Sequence, residues 1–338
     1  MVPVFEAGRL LLLIKRYEEA ARCFDFVARA FASREILNNA GVARALEAIE
    51  LFENGELNVA YPFEVDADTR LRSGSKAAEH DLEIRGRLRE RLLRKARDSF
   101  ERARQKDPAY LPARVNLAAV ADLQGDPEEA EYLARKAVRM ARERGEGTAL
   151  AHGLIVRGIA RLRTGNSDGA REDFESAEAG APSLARLNLA AVDGPAVSPA
   201  IEGEKRPARP ESIGQATPGR DGPGIVRDPA MVAEVPAVDR SQPAMDIYAR
   251  QTAAWSGLLV ETGYSTFSFL ETRPGLGGET AGGIRIGDDL SRVLAAYGRP
   301  AYVVAGRRGA HHVYAQSRIV FRTDESRRVE GWTLYAVD

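Results

Sequence analysis

The chain has 338 residues, enough for two domains with sizeable cores. Its 48 lysines and arginines against 49 aspartates and glutamates leave a net charge of −1, without the basic excess of a dedicated nucleic-acid binder. One cysteine, Cys23, excludes an internal disulfide framework; beside Phe24 on a helical face, it reads as a small buried hydrophobe in a reducing compartment.

The run Leu10 to Ile14 is far too short to span a bilayer. Glu6 precedes it and no small-residue cleavage site follows, so it reads as a buried helix rather than a signal peptide. Gly8 marks the close-packing point of this first helix. Residues 16–20 form a turn into a second helix that carries Ala20, Phe24 and Val27. A second pair starts near Glu35 with Asn39-Ala40-Gly41, but its expected partner helix, marked by Ala96, Phe100 and Ala103, comes some forty residues late. The insert at about 53–83 opens on the turn dipeptide Asn54-Gly55. It continues through Tyr61-Pro62-Phe63-Glu64, where proline disfavours helix, to the acidic Asp66 and Asp68. Ile84, Leu88, Leu92, Ala96 and Phe100 then recur every fourth residue on one helical face that ends near Lys106. Two further pairs follow at about 110–144 and 148–182, with turns at Gly125 to Ala130 and Gly165 to Asp168. One unpaired helix over 184–191 carries Asn188 and covers the end of the stack.

The recurring set Ala96, Phe100, Ala103, Pro108, then Ala130, Ala134, Ala137, then Ala170, Phe174, Ala177, Pro182, at a period of about thirty-four residues, resembles the tetratricopeptide repeat (TPR). The resemblance covers residues 2–192 and implies stacked helix pairs forming an α-solenoid whose concave groove binds a protein or peptide. In this register Asn39, Asn116 and Asn188 fall at or near one equivalent position on first helices. Side-chain amides there can grip an extended peptide backbone without reading its sequence, as asparagine ladders do in several similar proteins. Val156 interrupts the series in the fourth repeat. His152 is a further groove candidate, and Tyr61, Phe63, Glu64 and Asp66 are the candidates in the insert. The carboxylate clamp of chaperone-binding repeats is not expected, because Val115, Ile155 and Ala119 stand at its places.

Over 193–245 prolines and glycines crowd in, aromatic residues vanish and periodicity is lost, which predicts a disordered, protease-sensitive linker. Residues 246–338 read as a small α+β domain. One or two strands are predicted over 256–272. A short helix follows, with Asp288 or Asp289 as N-cap, Leu290, Val293, Leu294 and Tyr297 on its apolar face, and Gly298 and Pro300 ending it. Strands near 301–304, 312–321 and 329–335 complete the domain. Gly287, Val293, Tyr297-Gly298-Arg299-Pro300, Tyr314, Phe321, Asp324 and Val329 make residues 284–335 similar in pattern to the small α/β module of SmpA/OmlA-type outer-membrane assembly lipoproteins. The lipobox cysteine is absent, so membrane anchoring does not carry over.

The ten basic residues between Arg85 and Lys106 are interleaved with Glu90, Asp98 and Glu101 and lack flanking aromatics, so they read as a solvated face. His311 and His312 point to opposite sides of a strand and cannot share a metal by themselves. There is no His-Glu-x-x-His or Cys-x-x-Cys, the Gly275 to Thr280 loop fits neither phosphate-binding pattern, and no nucleophile is framed by a base. The expectation is therefore an all-α TPR solenoid plus a separate small α+β domain, acting as a non-enzymatic scaffold or adaptor. Its groove takes a protein or peptide partner, with no cofactor, metal, nucleic acid or membrane insertion. Composition is compatible with a bacterial source, and an easily cut linker with a regulatory or protease-cleavable role in a complex. The expected location is the cytoplasm, or the periplasm if a longer N-terminus is trimmed. The alternative is a cell-envelope assembly or stability factor acting through the C-terminal module.

Overall fold

The computed structural model describes residues 1–338 except 53–56, 58, 66–68, 72–81, 194–203, 206, 208, 214–215, 217, 219–229, 239–241, 253–254, 274–277, 307–308, 325 and 338. The turn Asn54-Gly55, Asp66, Asp68 and much of the expected linker lie outside the described residues. The chain divides into two compact units, Ala28–Pro199 and Met1–Val27 with Ala200–Asp338. The first is helical and the second is built on an antiparallel sheet.

The helical unit contains α3 (Arg34–Ile49), a two-stranded ribbon of β1 (Phe63–Val65) and β2 (Thr69–Leu71), and then α4 (Leu82–Lys106), α5 (Leu111–Leu123), α6 (Pro127–Arg144), α7 (Gly147–Arg163), α8 (Ser167–Ala177) and α9 (Pro182–Asp193). Each helix packs on its sequence neighbour, and α3, α5, α7 and α9 also pack on one another, so they form the inner layer of a solenoid. Helices are joined by tight turns in which Gly125 and Gly165 adopt φ of 86° and 83°, left-handed backbone that suits glycine. The next residues, Asp126 and Asn166, cap the following helices by accepting from the amides of Glu129 and Gly169 at 2.9 and 3.0 Å. In the pair α3–α4 that turn is replaced by the insert. Pairing survives because the close-packing point is kept: a Cβ added at Gly41 would lie 2.6 Å from the Phe100 ring, as one at Gly158 would lie 2.5 Å from Phe174.

The second unit holds α1 (Val2–Leu13), α2 (Tyr17–Ala30) as far as Val27, β3 (Ala230–Val235), β4 (Met245–Gln251), β5 (Trp255–Glu261), β6 (Thr266–Thr272), α10 (Leu290–Tyr297), β7 (Tyr302–Gly306), β8 (Gly309–Tyr314), β9 (Ile319–Asp324) and β10 (Val329–Val337). The sheet order is β3-β4-β5-β6-β10-β9-β8-β7, two antiparallel meanders joined where β6 pairs with β10. One face packs on α10, whose N-cap is Asp289, through a ring cluster in which Tyr297, Tyr314 and Phe321 lie 5.0–5.8 Å apart. Ile213 and Ala216 belong to the same core, and Glu211 accepts from the Tyr297 hydroxyl.

The stretch 193–245, expected to be linker, contains β3, the start of β4 and the anchored residues Glu211, Ile213 and Ala216. Backbone pairing to β4 holds β3, and Ile213 and Ala216 are set in the core, although neither stretch shows periodicity of its own. The first helix pair, expected to open the solenoid, groups instead with the sheet. Alternation along the strands leaves Ile247, Val260, Phe267, Phe269, Val313 and Val320 on the face opposite α10, all nearly inaccessible to solvent. That face needs cover, and α1 is apolar around most of its circumference, with Val4, Ala7 and Leu10 to Leu13 buried. α1 packs on β4 and β5, Arg16 lies over the Phe267 ring at 4.7 Å, and the Tyr302 hydroxyl donates to the Leu13 carbonyl at 2.6 Å. Cys23 is fully buried in α2, and burial pushes its thiol up to about 12.

The same face buries charge. Arg9 donates to Glu6 and Glu271, and Arg322 donates to Glu271 at 3.3 Å. His311 is buried beside these cations, and its Nδ1 makes no hydrogen bond among the described residues. Burial first, then Arg9 and Arg322, hold its imidazole well below the usual histidine range. A histidine kept neutral when folded contributes stability that is whole above its unfolded pKa, near 6.5, and is lost as pH falls below that value. Unfolding by denaturant is expected to become easier by about 1 kcal/mol per pH unit below about pH 6. His311→Gln should flatten that slope; an unchanged slope would show that His311 is not its source.

Candidate functional site: an occupied groove

The inner layer of the helical unit is not open. Residues 59–63 of the insert lie along it, and all five, Val59, Ala60, Tyr61, Pro62 and Phe63, are buried. They reach it because β1 packs on α3 and α5. Pro62 keeps this stretch out of helix, so its backbone polar groups need partners from elsewhere.

Asn188 on α9 supplies them. Its Oδ1 accepts from the Ala60 amide at 3.0 Å, and its Nδ2 donates to the Ala60 carbonyl at 3.0 Å and to Leu184 O at 2.9 Å. One side-chain amide thus holds both polar groups of one residue, the grip that extended peptide recognition uses. Replacing it by alanine would leave two buried backbone groups unpartnered, each costing about 1–3 kcal/mol.

One residue on, Tyr61 enters a polar pocket built from two further inner helices. Its hydroxyl donates to Asp122 Oδ2 at 2.5 Å and accepts from Arg163 Nη2 at 3.1 Å, while Arg163 Nε donates to the same Asp122 oxygen at 2.6 Å. Asp122 sits at the end of α5 and Arg163 at the end of α7, so solenoid stacking brings the two together. Asp122 is 2% exposed, and its Oδ1 is buried without a hydrogen bond among the described residues. Burial raises its carboxyl above the ordinary range, against the opposing pull of Tyr61 and Arg163. Burial first, then the Asp122 charge, pushes the Tyr61 phenol up, so it stays a neutral donor. Phe63 completes the segment, stacked on Phe100 with ring centroids 6.5 Å apart and 6.1 Å from the Tyr61 ring. Full burial of Tyr61 and Phe63 contributes about 1.5–3 kcal/mol each.

The residues picked from sequence are placed unequally. Asn188 and Tyr61 act one residue apart along the seated segment, and Phe63 lies in it. Asn116 is buried and donates to Asn38 Oδ1 at 3.0 Å, a pairing that ties α5 to α3. Asn39 and His152 are buried, in α3 and α7. Asn39, Asn116 and Asn188 do not form one open ladder, because Asn188 holds Ala60 of the insert and Asn116 pairs with Asn38. Glu64 lies in β1 with Arg70 as its backbone partner. Sequence reading missed Asp122 and Arg163. The only available signal was their place in the turn register, Asp122 three residues before Gly125 and Arg163 two before Gly165. On α4, Arg87, Arg91, Arg94 and Lys95 are exposed, and Arg97 pairs with Glu129 on α6. Among the described residues no helix is long and apolar enough to cross a membrane.

No family model and no curated protein matches the chain. Solved structures similar to it include the crystal structure of a thermophilic TPR protein from Thermus thermophilus, with 16% identity and a TM-score of 0.39 over 56% of this chain and 79% of that one.

Proposed function

We propose that this protein is a non-enzymatic interaction scaffold whose helical unit binds an extended segment of a protein partner in the groove that residues 59–63 occupy. The observation that carries the reading is the two-way grip of Asn188 on the Ala60 peptide groups. The inner layer already acts as a receptor for extended backbone, with its own insert as occupant. A segment tethered in cis competes at a high effective concentration, so a partner must displace it, and the insert sets the threshold for binding.

The test is a peptide array probed with two forms of the full chain: wild type, and a variant with 59–63 replaced by alternating glycine and serine. The opened variant is expected to capture extended peptides, and adding Asn188→Ala should reduce capture about tenfold or more while helical circular dichroism is retained. A folded, opened variant that captures no peptide would overturn the groove reading.

A further inference from the structure

Resting on that reading, we infer that the groove selects its partner by a tyrosine, within an extended segment of the order small residue, Tyr, Pro, aromatic. Three contacts define the small, tyrosine and aromatic positions. Asn188 holds the backbone of the small residue and reads no side chain, so it aligns any segment without choosing among them. Choice falls to the next position. There Asp122 Oδ2 accepts from one hydroxyl and Arg163 Nη2 donates to it; a phenol makes both bonds, whereas a phenylalanine loses both and leaves Asp122 and Arg163 only their own Nε–Oδ2 bond. Two positions further on, the Phe100 ring offers a flat apolar shelf that Phe63 fills. Proline between them keeps the strand extended and brings no amide that would need a partner.

The occupant leaves one group unused. Asp122 Oδ1 is buried and accepts nothing among the described residues, although its sister oxygen takes two donors. The seated insert therefore does not exhaust the pocket. A partner segment that brings the same tyrosine and one more donor toward Asp122 gains a hydrogen bond the insert lacks. That gain lets it compete with a tethered rival.

The probe is a synthetic peptide with the sequence of residues 57–65, added to the full-length chain. Binding to the opened variant is expected to weaken about tenfold to a hundredfold when the peptide's tyrosine is replaced by phenylalanine, the loss typical of a hydrogen bond to a charged partner. Asp122→Asn in the receptor should shrink that Tyr-to-Phe ratio, which a purely structural role for Asp122 would not do. Wild-type protein supplies a second readout that does not depend on the opened variant folding: the peptide brings no donor the insert lacks, so it should speed hydrogen exchange at the Ala60 amide only at about millimolar excess, where it matches the tethered segment. Equal binding of the tyrosine and phenylalanine peptides would overturn tyrosine selection while leaving a groove for extended segments. Failure of every peptide would remove the groove reading itself. A wild-type dimer that disappears with Tyr61→Ala would overturn a foreign partner, because a second copy's own segment would be the occupant.

Discussion

Phe100→Ala is expected to lower the unfolding free energy of the helical unit by about 3–5 kcal/mol. Phe100 has no exposure, and its ring fills the space that Gly41 leaves open on α3. The same ring stacks on Phe63, so truncation removes both the lock between α3 and α4 and the shelf under the insert. The surroundings cannot close around the hole, because Gly41 has no side chain to move and the insert is pinned by Asn188 and Asp122. The measurement is chemical denaturation followed by helical circular dichroism. Hydrogen exchange at Ala60 should rise in the same variant under native conditions. A loss below about 1 kcal/mol would mean that the helix pair is held by something other than this ring.

In the sheet unit, the largest single effect is expected from Glu271→Ala, which should cost about 3 kcal/mol. Glu271 bridges Arg9 on α1 and Arg322 on β9, and Arg9 is only 6% exposed. Removing this carboxylate leaves the two cations facing each other and His311, with no counter-charge between them. The effect stays at the lower end of the range for broken buried pairs, because Arg9 keeps Glu6 and Arg322 keeps Glu330. Arg9→Met combined with Glu271→Leu should be milder than Glu271→Ala alone, within about 1 kcal/mol of wild type, because a buried ion pair replaced by apolar groups of similar volume is often neutral. Denaturant titration of the three proteins decides it. If the double variant were the worst, the pair would be a net stabiliser rather than a group that must not be left half-made.

Much of the helical unit was legible in the chain itself. Small residues at the crossing points, the glycine turns with capping Asp126 and Asn166, and the fourfold spacing along α4 are local requirements of helix pairs. Local requirements leave marks at fixed spacing. The unit that ends in β10 was legible for the same reason between Trp255 and Val337, where strands alternate and Asp289 and Gly298 bracket α10. Tyr61, Phe63 and Asn188 stood out by type and place. That Asn188 holds a segment of its own chain, and that Tyr61 enters a polar pocket, was not written there. Asn188 meets Ala60 across 128 residues of chain, and Tyr61 meets Asp122 and Arg163 across 61 and 102. Such pairings depend on how the solenoid stacks and have no period to betray them. The assignment of α1 to the sheet was equally hidden, because a helix apolar on several sides satisfies a repeat neighbour and a sheet alike. The choice was made by the uncovered apolar face of the sheet and by the carboxylate of Glu271, which exists as a partner for Arg9 only once the sheet is formed.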